Sequence, residues 1–120
     1  MPAVNSTPNN LGATVTFGAV SLGEAPQDVA IGIYIDNGAG AAPTDTPVGS
    51  FTLQTSWDAS RWFDYPDASS ALAAVSPTGN AVLSKAAVVR SVCAKYARVV
   101  YTRSSGGGTN SACTVYVDVK

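Results

Sequence analysis

Period-two alternation is the feature that most narrows what this chain can become. In residues 29–35, VAIGIYI, Val29, Ile31, Ile33 and Ile35 fall on one side and Ala30, Gly32 and Tyr34 on the other. That is the pattern of a strand with one face against a core. Residues 13–20 set Val15 and Phe17 against Thr14 and Thr16, and residues 48–57 put Phe51, Leu53, Thr55 and Trp57 on one face. Residues 111–119 alternate Cys113, Val115, Val117 and Val119 with Thr114, Tyr116 and Asp118. Branched Val, Ile and Thr fill these runs and suit a pleated surface.

The connections carry turn chemistry. Residues 61–66, RWFDYP, return on 48–57 through the tight turn Asp58-Ala59-Ser60, which predicts an aromatic hairpin. Residues 36–47, DNGAGAAPTDTP, form a long loop. Residues 95–103 and 111–119 read as a final hairpin, its SSGGGTN loop mobile because of three glycines. Residues 84–100 show some helical spacing, but their branched residues assign them to two strands. Residues 67–75, DASSALAAV, fit both a short helix capped by Asp67 and an irregular strand and loop. The sum is seven to eight short strands, an all-β antiparallel β-sandwich or jelly roll.

The sandwich is expected to occupy residues 13–120 as one domain, since a chain of 120 residues can bury a core of its own. Residues 1–12, MPAVNSTPNNLG, read as an extended N-terminal arm, mobile alone and ordered by a partner. They hold no apolar leader segment, and no stretch in the chain reaches membrane-spanning length. Assembly in a cytoplasm is the expectation.

Charge is sparse, at 12% of residues, for a net −1. A surface with so few charges suits extensive coverage by a partner. The charge is also segregated. Residues 1–67 hold seven acids and one base, and residues 68–120 six bases and one acid, so the halves stand at −6 and +5. Either the halves pair within one fold, or two faces of opposite sign dock neighbouring copies.

The catalytic inventory is thin. There is no histidine, so Ser–His and Cys–His nucleophiles are excluded. Asp58 and Asp64 flank the aromatic hairpin and Asp64 and Asp67 stand three apart, a pairing of glycosidase type. Turn capping by Asp58 is the simpler reading. Asp36, Asn37 and Asp45 are too few and too spread for a calcium site, two cysteines make no zinc site, and residues 106–108 lack the context of a phosphate loop. The expectation is no enzyme, no cofactor and no metal. The bases of the second half, interleaved with Tyr96 and Tyr101, alternate between two faces, which argues against nucleic-acid binding. Trp57 is expected in the core and Trp62 at a sheet edge or interface, with a sugar-stacking platform as the rival reading. Cys93 and Cys113 are expected unbonded. The hairpin register puts Cys113 across from about Tyr101, roughly 26 Å from Cys93 at ~3.3 Å per residue.

Several of these segments together carry a resemblance. TLQTSWDASRWFDYP contains a Ser-x-Asp turn followed by Trp, here Ser56, Asp58 and Trp62, with Ala59 where such turns carry glycine. Ala94-Lys95-Tyr96-Ala97-Arg98-Val99-Val100, a glycine-rich turn and a valine-alternating last strand follow. Over residues 48–120 the chain resembles small β-sandwich virion proteins of tailed bacteriophages, of the capsid decoration or cement type. The tyrosine–arginine strand is also similar to that of discoidin-like carbohydrate-binding sandwiches. The resemblance implies a non-enzymatic structural role on a virion. The major capsid protein and neighbouring copies would be its partners, and no membrane or nucleic acid is implied. The candidate interface is Trp62, Tyr65, Arg98 and Arg103. A carbohydrate-binding module and a tail or fibre component are the alternatives.

Overall fold

The computed structural model describes residues 3–5, 9–65, 68–73, 75, 77 and 79–119, without the side chains of 3–5 and Ser70. The strands are β1 (Ala3–Asn5), β2 (Asn9–Asn10), β3 (Val15–Thr16), β4 (Val20–Ser21), β5 (Gln27–Asp36), β6 (Val48–Ser56), β7 (Phe63–Asp64), β8 (Leu83–Val92), β9 (Tyr96–Ser105) and β10 (Ala112–Val119). One five-residue helix, α1 (Ser69–Ala73), lies between β7 and β8. The ambiguous 67–75 segment is therefore helical at its centre; Asp67, its expected cap, lies outside the described residues.

Every pairing is antiparallel, and the pairings nest. β1 and β2 lie in line along β10, and β3 and β4 in line along β9. β5 pairs β8 and β6 pairs β7. First therefore meets last, second meets second-last, and so inward. Two further ladders, β10–β5 and β9–β6, complete sheets of order β1-β10-β5-β8 and β3-β9-β6-β7. This is the jelly-roll arrangement of an all-β sandwich, with eight strand positions once the in-line pairs are merged.

The alternation works as the sequence implied. Val29, Ile31, Ile33 and Ile35 face Phe51, Leu53, Ala97, Val99 and Tyr101 across a core completed by Cys113, Val115, Val117 and Val119. Each fully buried branched side chain contributes about 1.5–3 kcal/mol. Ala68, Leu72 and Val75 are buried with them, and α1 packs against β6 and β8.

Four expectations need correction. Residues 95–103 and 111–119 form no hairpin: β9 belongs to one sheet and β10 to the other, so their loop crosses the sandwich. Alternation reports which face a residue takes, not which strand lies beside it. Cys93 and Cys113 are indeed unbonded, but their separation has a different basis from the proposed register: Cys93 is exposed between β8 and β9, and Cys113 is buried in the core. The glycine tip is packed. Gly107 N–H donates to the Asp45 carbonyl at 2.8 Å, and a Cβ at Gly106 or Gly107 would strike the Thr46 or Leu11 carbonyl. Both glycines also take positive φ, a conformation glycine adopts without strain. Finally, residues 13–20 split into β3 and β4, since Phe17 and Val20 point inward three apart.

The N-terminal segment is extended, but its described residues belong to the sheet. Ala3 sits opposite Asp118 and Asn9 opposite Cys113. Leu11 is fully buried, its N–H bonded to the Ser111 carbonyl at 3.0 Å. Composition averages over this single side chain, which is why the segment reads as a free arm. Leu11→Ala is expected to cost about 2–5 kcal/mol in chemical denaturation, the range for emptying a buried leucine site; an unchanged midpoint would return the segment to the status of a dispensable arm.

Candidate functional site

The nested topology sorts the crossing loops to two ends. At one end Asp45-Thr46, Asn80, Gly106–Gly108 and Leu11–Gly12 are stitched together, with Thr46 N–H on Asn80 Oδ1 at 2.7 Å and Asn110 N–H on Asp45 Oδ2 at 3.0 Å. At the other end the loops 22–26, 57–62 and 93–95 surround a cleft of about 360 Å³ lined by Glu24, Pro26, Trp57, Cys93 and Lys95.

The 57–62 turn is built by two side chains. Ser56 is buried; its hydroxyl accepts N–H bonds from Asp58 and Ala59, at 3.3 and 2.9 Å, and donates to Asp58 Oδ1 at 3.1 Å. Asp58 Oδ1 in turn accepts from Ser60 and Arg61 N–H, both at 2.9 Å. Ala59 takes φ of 61°, the left-handed conformation that glycine would hold with less strain. These bonds give the turn local hydrogen-bonding partners in place of a strand ladder.

The turn throws Trp57 outward. Trp57 is 59% exposed and Phe63 54% exposed, and they meet edge-to-face with centroids 6.2 Å apart. Strict alternation placed Trp57 in the core. The strand instead ends at Ser56, and the next residue leaves the sheet. The Ser-x-Asp spacing was the available signal, because both residue types favour turns over strands.

The four predicted interface residues do not form one patch. Arg98 and Trp62 do meet: the guanidinium lies 4.1 Å from the indole centroid, a contact worth about 0.5–1 kcal/mol at an exposed site. Arg98 Nε also donates to Gln54 Oε1 at 3.0 Å, and Gln54 Nε2 donates to Asp64 Oδ1 at 3.1 Å. A polar chain thus crosses the outer face of β9, β6 and β7. Tyr65 is half-buried against the core. Arg103 belongs to the opposite end, its Nε bonded to the Gly106 carbonyl at 2.6 Å. Since the guanidinium covers one face of Trp62, the open aromatic surface around this turn lies at Trp57 and Phe63.

One described ion pair links the two charged halves. Arg90 of β8 pairs with Asp28 of β5 at 3.2 Å, at a bulge where Ser91 N–H also bonds Asp28. Among the described residues the other bases are dispersed, with Lys85 on β8, Arg98 and Arg103 on β9, and Arg61 and Lys95 in loops. Among the described residues no cluster of three metal-ligating side chains occurs, and no helix is long and apolar enough to cross a membrane. No protein-family model matches the chain, and no curated protein matches it in sequence.

Asp58 is tuned for structure. Its carboxyl is held below the ordinary carboxylate range, chiefly by the Arg61 N–H and then the Ser60 N–H, against a smaller opposing effect of desolvation. A general acid needs the reverse shift. Because the folded-state value lies below the unfolded one, this group's contribution to stability is complete above about pH 4 and fades as pH falls through the lower, folded value. An Asp58→Ala variant is expected to lose stability at pH 7 and to show a shallower loss on acidification than wild type. Denaturation monitored by tryptophan fluorescence at pH 7 and in acid measures both; parallel acid profiles would remove Asp58 from this role.

Proposed function

We propose that the protein is a non-enzymatic structural subunit of a virus particle, a decoration or cement protein that binds the outside of a capsid and stabilises its lattice. The observation that carries this reading is the exposed Trp57–Phe63 pair, held on a turn fixed by Ser56 and Asp58 at one end of a sparsely charged sandwich. Large aromatics presented without local flexibility are the side chains that anchor protein interfaces. The resemblance of residues 48–120 to phage decoration proteins supports the same reading, and the jelly roll is an architecture used by capsid domains. The partners are the major capsid protein and neighbouring copies, and the location is the virion. Contacts repeated over a lattice gain strength by multivalency, so each can be modest.

The cleft beside Trp57 favours a second reading. An exposed indole next to Glu24 and Lys95 offers an apolar face and two polar groups, the elements of a carbohydrate subsite, and jelly rolls also serve as lectin domains. A tail or fibre position on the virion is compatible with either chemistry.

One experiment separates these. Purified wild type and Trp57→Ala are added to heads lacking the protein, and occupancy and disruption temperature are measured beside a glycan array. Wild type is expected to bind and to raise the disruption temperature. Trp57→Ala is expected to weaken binding by about 2 kcal/mol, roughly 30-fold per site. Glycan binding that needs Trp57, with no binding to heads, would replace the capsid reading with the carbohydrate one.

A further inference from the structure

The chain holds six asparagines, and only Asn37 precedes a glycine. An Asn-Gly step is the one most prone to lose its side-chain amide, because no Cβ on the second residue hinders closure of an imide ring between the two. In that reaction the Gly38 N–H proton goes to hydroxide and the nitrogen bonds to Asn37 Cγ. The Cγ–Nδ2 bond breaks, and Nδ2 takes a proton from water and leaves as ammonia. A second water opens the ring at either carbonyl, leaving aspartate or isoaspartate and one more negative charge.

The loop after β5 is open to this chemistry and bonded against it. Gly38, Ala39 and Gly40 are exposed, and nothing lies within 4 Å of the point where a Gly38 Cβ would stand, so hydroxide and water reach the step freely. Yet Gly38 N–H donates to Asp36 Oδ1 at 2.8 Å, and Gly40 N–H to Asp36 Oδ2 at 3.0 Å. Asn37 Oδ1 accepts from Ala39 N–H at 2.8 Å and Ala41 N–H at 3.1 Å. Asn37 N–H closes the loop on the Ala41 carbonyl at 2.8 Å. An imide nitrogen is planar, so its new bond to Cγ must form where the N–H proton now points, and the Asp36 carboxylate holds that direction. The negative charge there also disfavours the amide anion that must form. The two donors on Asn37 Oδ1 polarise the Cγ carbonyl, but that gives no help while the nitrogen is turned toward Asp36.

We infer that Asn37-Gly38 is a self-modification site guarded by Asp36, its amide retained while the loop is native and lost when the loop opens. The modification is deamidation through the imide, with water and hydroxide as the only co-reactants. The state of residue 37 thus records how often this loop has opened. Isoaspartate would lengthen the backbone inside the loop and displace the Asn37 bond to the Ala41 carbonyl, so the loop does not return to its native form. The inference requires no capsid, and its failure would leave the docking reading intact.

The test is to incubate the full chain in mildly alkaline buffer, native and unfolded in guanidinium chloride. Residue 37 is followed by peptide mass mapping, with ammonia release as a second readout. Native wild type is expected to lose the amide at least about tenfold more slowly than the unfolded chain, a factor within reach of one hydrogen bond to a charged group. Asp36→Ala, with a wild-type far-UV spectrum, should bring the native rate most of the way to the unfolded one and leave the unfolded rate nearly unchanged. Asp36→Asn keeps one acceptor oxygen for Gly38 N–H and should fall between; it carries the comparison if Asp36→Ala does not fold. Native wild type reacting as fast as the unfolded chain would overturn the inference. So would a native Asp36→Ala that reacts no faster than wild type, and one that reacts more slowly would make Asp36 a base for the reaction instead of its guard.

Discussion

The structure depends on the seating of β10. The last strand of the chain lies inside its sheet, with β5 along one edge and the N-terminal β1 and β2 along the other. Its inward residues Cys113, Val115, Val117 and Val119 are all buried, so one strand supplies a full row of the core and two ladders of backbone bonds. Nothing in a nested topology is complete until this strand is in place, because the outermost pair encloses every other. The many non-local pairings also predict slow folding for a chain this short, since distant segments must close before contacts reward them.

The two ends of the sandwich then divide the work. The end holding Leu11, Asp45, Gly106 and Gly107 is tied by backbone bonds and close packing, and it secures the crossings into β10. Its stitching is not free of cost: one buried oxygen of Asp45 has no hydrogen-bond partner. The opposite end has shorter loops and a cleft, and its turn is held by side-chain caps. An aromatic pair is left in solvent there. A buried serine and an ionised aspartate thus allow a tryptophan to be displayed on a fixed support, and that arrangement underlies the binding role proposed for the molecule.

Much of the fold was legible because alternation is a local property. Residues 29–35 and 48–57 announce their strands and, up to Ser56, their buried faces, and the 58–60 turn announces its hairpin. Partner choice was not legible. A glycine-rich loop between two alternating runs looks the same whether it folds back within a sheet or crosses to the other, and only the competing ladders β9–β6 and β10–β5 decide it. The candidate site was half legible. Trp62 and Arg98 do come together, while alternation assigns Trp57 to the core because it carries one residue past the true strand end at Ser56. Arg103 and Arg98 share β9, but five residues of extended chain span roughly 16 Å and set them at different ends.

The central claim, that β10 is locked inside the sheet, is tested most directly by the thiols. Cys113 is buried on β10, and burial pushes its thiol up to about 12, while Cys93 is exposed. The rate of modification by a thiol reagent at neutral pH, followed residue by residue across low denaturant concentrations, reports how each becomes accessible. Cys93 is predicted to react at once, and Cys113 only through global unfolding, with the full denaturant dependence of that transition. Rapid reaction of Cys113 in the native protein, with little dependence on denaturant, would mean that β10 opens locally, and would contradict the account.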